Sequence, residues 1–161
     1  MGQWEDKMDL ESLLSADAVK VIGATSSKKR LFQDLGALGA SAYGFDSAEA
    51  VDALLAREAL GPTGVGHGVA LPHARLPNLE SVKGVFLRLD KPVDFDSVDR
   101  QPVDLVFGLF APEEAGVDHL KALALVSRTM RDASICTKLR ANSDSSTLHT
   151  ILTAIETSQA A

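Results

Sequence analysis

At 161 residues and 45% hydrophobic content, the chain holds enough apolar material for one ordinary domain with a single core, and too little for two. Sixteen Lys and Arg against 22 Asp and Glu leave a formal charge of -6 and a pI near 5.1, which disfavours nonspecific attraction to nucleic acid or anionic lipid. The single Cys136 excludes an internal disulfide framework and a cysteine-built zinc cluster, and it fits a reducing, cytoplasmic compartment.

The N-terminal Met1-Gly2-Gln3-Trp4-Glu5-Asp6-Lys7 lacks the basic-then-apolar order of a secretion signal, and Asp6 stands where a myristoylation motif wants Ser or Thr. No apolar run reaches the roughly 18 to 20 residues that cross a bilayer, so direct membrane insertion is not expected. Met8 is an alternative start. Residues 1–8 therefore read as a flexible tail and residues 9–157 as one domain, without internal repeats or low-complexity tracts.

Residues 18–22 alternate apolar and polar like a strand, and Thr25-Ser26-Ser27 offers an N-cap for a helix over residues 28–42. Gly36, Gly39 and Gly44 weaken that helix and mark its end. Asp46 and Glu49 have the spacing of a capping box, and Ala50, Val51, Leu54, Leu55 and Leu60 form an apolar stripe, so residues 47–60 read as a helix that Gly61-Pro62 ends. Residues 65–69 lead as an extended segment into Pro72, which biases Leu71 away from the helical region and leaves His73 on a loop.

Residues 82–89 and 104–110 read as strands, the second so apolar after Asp104 that it belongs at the centre of a sheet. Asp118 is placed to cap a buried helix over residues 119–131. Two shorter amphipathic helices follow over residues 134–141 and 145–155, the last opened by Asp144 or Ser145. Alternating strands and helices predict an α/β fold, a sandwich with helices on both faces of the sheet.

Several residues offer chemistry, each with a plainer alternative beside it. His73 follows a proline that partly fixes the backbone direction, so a neutral imidazole there is a competent nucleophile; equally, a loop histidine is commonly a solvated surface residue. The stretch Gly61-Pro62-Thr63-Gly64-Val65-Gly66-His67-Gly68 has small residues where backbone N–H groups can approach an anion, with the Thr63 hydroxyl as a further donor. Its glycines serve a tight turn just as well, and the spacing fits neither a dinucleotide fingerprint nor a Walker loop.

His119 lies at the start of its helix, where the dipole favours a neutral ring and a bound phosphate, although a polar first-turn residue needs no such role. Arg57 sits near the end of a helix that leads directly into the glycine loop. A guanidinium there can hold phosphate oxygens bidentately, or simply complement the dipole and pair with Glu58. His67 and His149 read as surface residues. A zinc site from His67, His73 and His119 has no supporting ligand spacing, and Asp94, Asp96 and Asp99 lack the glycine and glutamate of a calcium loop, so no metal is expected.

Taken in order, Arg57-Glu58, the run from Gly61 to Gly66, Val69-Ala70-Leu71-Pro72-His73-Ala74, Pro92-Val93-Asp94-Phe95, Gln101 to Val106 and His119-Leu120 resemble the mannitol/fructose class of phosphotransferase-system enzyme IIA, most closely its nitrogen-regulatory type. The resemblance spans nearly the whole chain, and Gly-Val-Ala-Leu-Pro-His is its most specific part. It implies a three-layer sandwich with a mixed central sheet, and a phosphoryl group accepted on His73 from a phosphohistidine carrier protein. It assigns Arg57 and His119 as the other active-site residues and places Thr63 and Gly64 in the phosphate-binding loop, with no cofactor.

Two outputs fit that resemblance. The phosphorylation state controls partner proteins such as transporters, sensor kinases or stringent-response enzymes, or His73 hands phosphate to a separate enzyme IIB. A third reading, of another kind, is a noncatalytic domain that keeps the fold and binds a small anion.

Overall fold

The computed structural model describes residues 8–160, so the tail expected over residues 1–8 lies, but for Met8, outside the described residues. A first short helix, α1 (Leu10–Leu13), is closed by a capping box between Asp9 and Ser12, and a 3-10 turn over Ala16–Ala18 delivers the chain to β1 (Val19–Ile22). Helices α2 (Lys28–Tyr43) and α3 (Ser47–Glu58) follow. The strands β2 (Gly64–Gly66), β3 (Val69–Ala70), β4 (His73–Leu76), β5 (Lys83–Val93) and β6 (Val103–Pro112) come next. Helices α4 (Gly116–Met130), α5 (Ala133–Arg140) and α6 (Ser145–Ala160) complete the order.

The sheet is mixed and runs β1-β5-β6-β3-β2, with β4 also paired to β6. β6 is central, as its composition requires: Val103 and every residue from Leu105 to Ala111 are buried. It pairs antiparallel with β5 and parallel with both β3 and β4, which follow one another along its other edge. Successive residues of β6 face opposite ways. A Cβ added at Gly108 would touch Leu35 of α2, whereas Phe107 meets Gly84 and Phe86 on the other face, where α1 ends at Leu13. Helices thus cover both faces, and the mixed α/β sandwich expected from the sequence is the fold observed.

The two glycines inside α2 do not end the helix. Gly36 lets Val51 and the Ser47 carbonyl of α3 approach α2, and Gly39 makes room for the ring of Phe45 in the connection between the two helices. The helix stops at Gly44, whose φ of +81° supplies the left-handed C-cap. Ser27 caps its start and Asp46 caps α3 by accepting from the Glu49 N–H.

Several elements differ from expectation, three of them informatively. β5 extends to Val93, past Pro92, because a register shift between Arg88 and Val93 spares the proline a ladder bond. α4 begins at Gly116 rather than after Asp118: Ala115 occupies the N-cap without a side-chain bond, and Asp118 sits in the first turn. His73 is not on a loop but is the first residue of β4, paired with Leu109.

Candidate active site

Pro72 keeps Leu71 extended, and the chain then enters β4, whose parallel pairing sets His73 opposite Leu109 at the sheet surface. The Leu109 N–H donates to the Pro72 carbonyl at 2.9 Å and pins this entry. His73 is half-buried between buried Pro72 and Ala74. Its Nδ1 lies 3.0 Å from the Leu71 carbonyl oxygen. A carbonyl can only accept, so Nδ1 carries the proton and the neutral ring leaves its lone pair on Nε2.

Arg57 meets that lone pair. Its Nε–H donates to His73 Nε2 at 3.3 Å, and its Nη1 donates to the Gly61 carbonyl at 3.0 Å. Helix α3 therefore delivers the guanidinium to the imidazole across the turn that begins the glycine loop. His119 approaches from α4, its ring edge-on to His73 with centroids 5.6 Å apart. It is only 6% exposed, and its Nε2 has no hydrogen-bond partner. A buried ring nitrogen without a partner is costly unless a polar group arrives to meet it.

Burial, with neighbouring cations, disfavours protonation of both rings. Burial lowers the His73 pKa below its ordinary 6.5; the bond to Leu71 opposes this, Arg57 adds to it and Glu58 opposes it. Burial also lowers His119, and the nearby charges of Arg75 and of His73 act in the same direction. Arg75, exposed on β4, donates from Nη1 to the Glu113 carbonyl at 3.1 Å.

The structure brings His73, Arg57 and His119 together, and it joins Thr63 to them through the backbone. Thr63 is buried; its N–H and hydroxyl both donate to Glu58, at 3.0 and 2.6 Å. Its carbonyl accepts from the Leu71 N–H at 2.9 Å. Gly64 is packed so closely on Ser97 that a Cβ there would lie 3.1 Å from the Ser97 Cα. Glu58 is the participant whose part sequence reasoning missed: it entered as a pairing partner for Arg57 and within the Arg57-Glu58 motif, without a function of its own. Its signals were that motif and a carboxylate in the last turn of a helix, against the dipole.

The remaining histidines stand elsewhere. His67 takes a left-handed turn between β2 and β3, its N–H donating to Asp99 at 2.8 Å, and His149 reaches the Leu14 carbonyl at 2.8 Å. Among the described residues, no group of three or more His, Cys, Asp and Glu is arranged to hold a metal ion.

Known proteins share this arrangement of sequence and fold. A nitrogen regulatory protein of Bradyrhizobium diazoefficiens is 48% identical over 145 residues, covering 90% of this chain and 95% of that protein. The crystal structure of nitrogen regulatory protein IIA-Ntr from Neisseria meningitidis superposes with a TM-score of 0.82 at 36% identity, covering 88% of this chain and 97% of that one. Enzyme IIA of the mannitol system from Escherichia coli, solved in complex with phosphorylated enzyme IIB, shares the fold with a TM-score of 0.69 at 19% identity, over 87% of this chain and 98% of its own. The family model for the phosphoenolpyruvate-dependent sugar phosphotransferase system, EIIA 2, matches residues 12–155, and the chain belongs to that family.

Proposed function

We propose that this protein is a phosphoryl relay of the nitrogen-regulatory type, in which His73 takes a phosphoryl group from a phosphohistidine carrier protein and the phosphorylation state controls partner proteins. The observation that carries the reading is the unprotonated Nε2 of His73, fixed by the Nδ1 bond to Leu71, met by the Arg57 N–H and approached by His119. Nε2 attacks phosphorus as the donor's N–P bond breaks, and the departing electron pair returns to the donor's imidazole. One N–P bond replaces another, so the exchange is close to balanced and reversible.

Arg57 then turns from Nε2 to the phosphoryl oxygens, and His119 offers its unpartnered Nε2 as a donor to them. Thr63 and Gly64 hold the loop beneath. With both Thr63 donors engaged by Glu58, a direct bond from its hydroxyl to phosphate requires an exchange of partners. No nucleotide or metal enters this chemistry.

Aliphatic side chains near the site residues in the chain are exposed: Leu60, three residues after Arg57, and Val117 and Leu120, which flank His119 in sequence. Exposed apolar side chains of this kind suit a protein donor rather than a small molecule. With no helix among the described residues long and apolar enough to cross a membrane, and one free Cys136, we place the relay in the cytoplasm. Phosphate adds about -1.5 to -2 charges to this surface, which suffices to change which partner docks. Passing phosphate to a separate enzyme IIB is the second reading, favoured by the mannitol protein's complex with its own IIB.

The test is incubation with a phosphorylated carrier, followed by mass mapping of the acid-labile group. Wild-type protein should be labelled at His73 and His73→Ala should not; equal labelling of the variant would remove the proposal.

A further inference from the structure

His73, Arg57 and His119 leave unexplained a carboxylate lying beneath them. The Glu58 side chain is only 7% exposed, and three donors converge on it: Lys28 Nζ at 2.9 Å, the Thr63 N–H at 3.0 Å and the Thr63 hydroxyl at 2.6 Å. Burying a carboxylate is costly, and its position in the last turn of α3 sets it against the helix dipole. Lys28 is equally misplaced as the first residue of α2. Neither helix gains from this pair, so its value lies in what Glu58 grips.

That grip can be followed bond by bond to the nucleophile. Glu58 holds both donors of Thr63, the Thr63 carbonyl holds the Leu71 N–H, and the Leu71 carbonyl holds His73 Nδ1–H. Arg57, the preceding residue, closes the other side by bonding the Gly61 carbonyl and His73 Nε2. The last two residues of α3 thus clamp opposite ends of the turn and meet again at one imidazole. Lys28 anchors the arrangement further by reaching Asp96 at 3.4 Å and lying 4.7 Å above the Phe95 ring.

We propose that Glu58 is a positioning residue for phosphoryl transfer, fixing the tautomer and direction of His73 through Thr63 and Leu71 and supplying the negative charge that balances Arg57 at the site. The proposal rests on the relay reading above. The charged and titratable groups facing His73 are Arg57 and Glu58 from α3, His119 from α4 and Arg75 from its own strand. Of these, Glu58 alone favours the protonated ring. Removing its charge while keeping its shape therefore lowers the His73 pKa, an effect that lost packing alone does not produce.

The experiment measures the rate of His73 labelling by a phosphorylated carrier against pH for wild type, Glu58→Gln and Glu58→Asp, beside NMR titration of the His73 ring. Glu58→Gln should slow transfer at neutral pH by about tenfold or more, and move both the acid limb and the ring titration to lower pH. Glu58→Asp keeps the charge and the limb, but one methylene short it cannot hold Lys28 and Thr63 together, so it too slows. Wild-type rates in both variants would overturn the assignment, as would slowing of Glu58→Gln with an unmoved limb. Should Glu58→Gln not fold, Glu58→Asp decides alone, a wild-type rate being the contradicting result. Wild-type protein that takes no label would overturn the relay itself, which His73→Ala controls for separately.

Discussion

Lowering the pH from 7 to 5 should destabilise the fold through its two facing histidines. In the unfolded chain each ring takes a proton at the ordinary 6.5, whereas both folded values are lower, chiefly because of burial. Between the folded values and 6.5 the unfolded state holds more protons, so stability is complete above 6.5 and falls as the pH drops. Each histidine contributes at most about 1.4 kcal/mol per pH unit, and the two together at most about 2.7. The half-buried His73 falls short of that ceiling because solvent screens its ring. Even half the slope is large against a typical stability of about 5 to 15 kcal/mol. Protonation would also crowd His73 and His119 beside Arg57 and Arg75. Carboxylates act in a separate window: Asp99, Asp132 and Asp144 accept hydrogen bonds that lower them below 3.8, so their contribution is lost only in stronger acid. Urea unfolding at half-unit steps reads the slope directly, and His119→Gln should remove one histidine's share. A flat profile from pH 7 to 5, or an unchanged slope in a His73→Gln/His119→Gln double variant, would refute the reasoning.

Arg57→Ala should cut the transfer rate by about a hundredfold, the scale of one lost charged donor at developing phosphoryl charge. It should also raise the His73 titration, opposite in sign to Glu58→Gln; an unchanged rate would return Arg57 to a surface role. Gly64→Ala should cost about 1 to 3 kcal/mol of stability by overpacking, because the new methyl would meet Ser97 Cβ at 2.9 Å and Cα at 3.1 Å. A melting temperature equal to wild type would contradict that.

What the sequence shows well is what depends on neighbours in the chain. Asp46 capping α3, Ser27 capping α2 and the apolar run of β6 each rest on a few adjacent residues. Asp118 misled for the opposite reason. It has the residue type of a cap, but the turn from Pro112 to Ala115 and the φ of +38° at Gly116 start α4 earlier. The strand position of His73 is not legible in the sequence, because nothing local announces its pairing with Leu109, 36 residues away. His149, read as surface, bonds Leu14 across 135 residues.

The site followed the same division. Family motifs pointed to His73, Arg57 and His119 before any geometry, and the fold then brought all three together. Glu58 stayed hidden because its five-residue step to Thr63 has no helical or strand period and becomes a contact only once the turn at Gly61 has formed.

The central claim is that His73 presents an unprotonated Nε2 to phosphorus. Nitrogen-15 and phosphorus-31 NMR of the phosphorylated, ring-labelled protein should show phosphorus coupled to Nε2 with the proton retained on Nδ1. Phosphorus on Nδ1, or on any other residue, would contradict it.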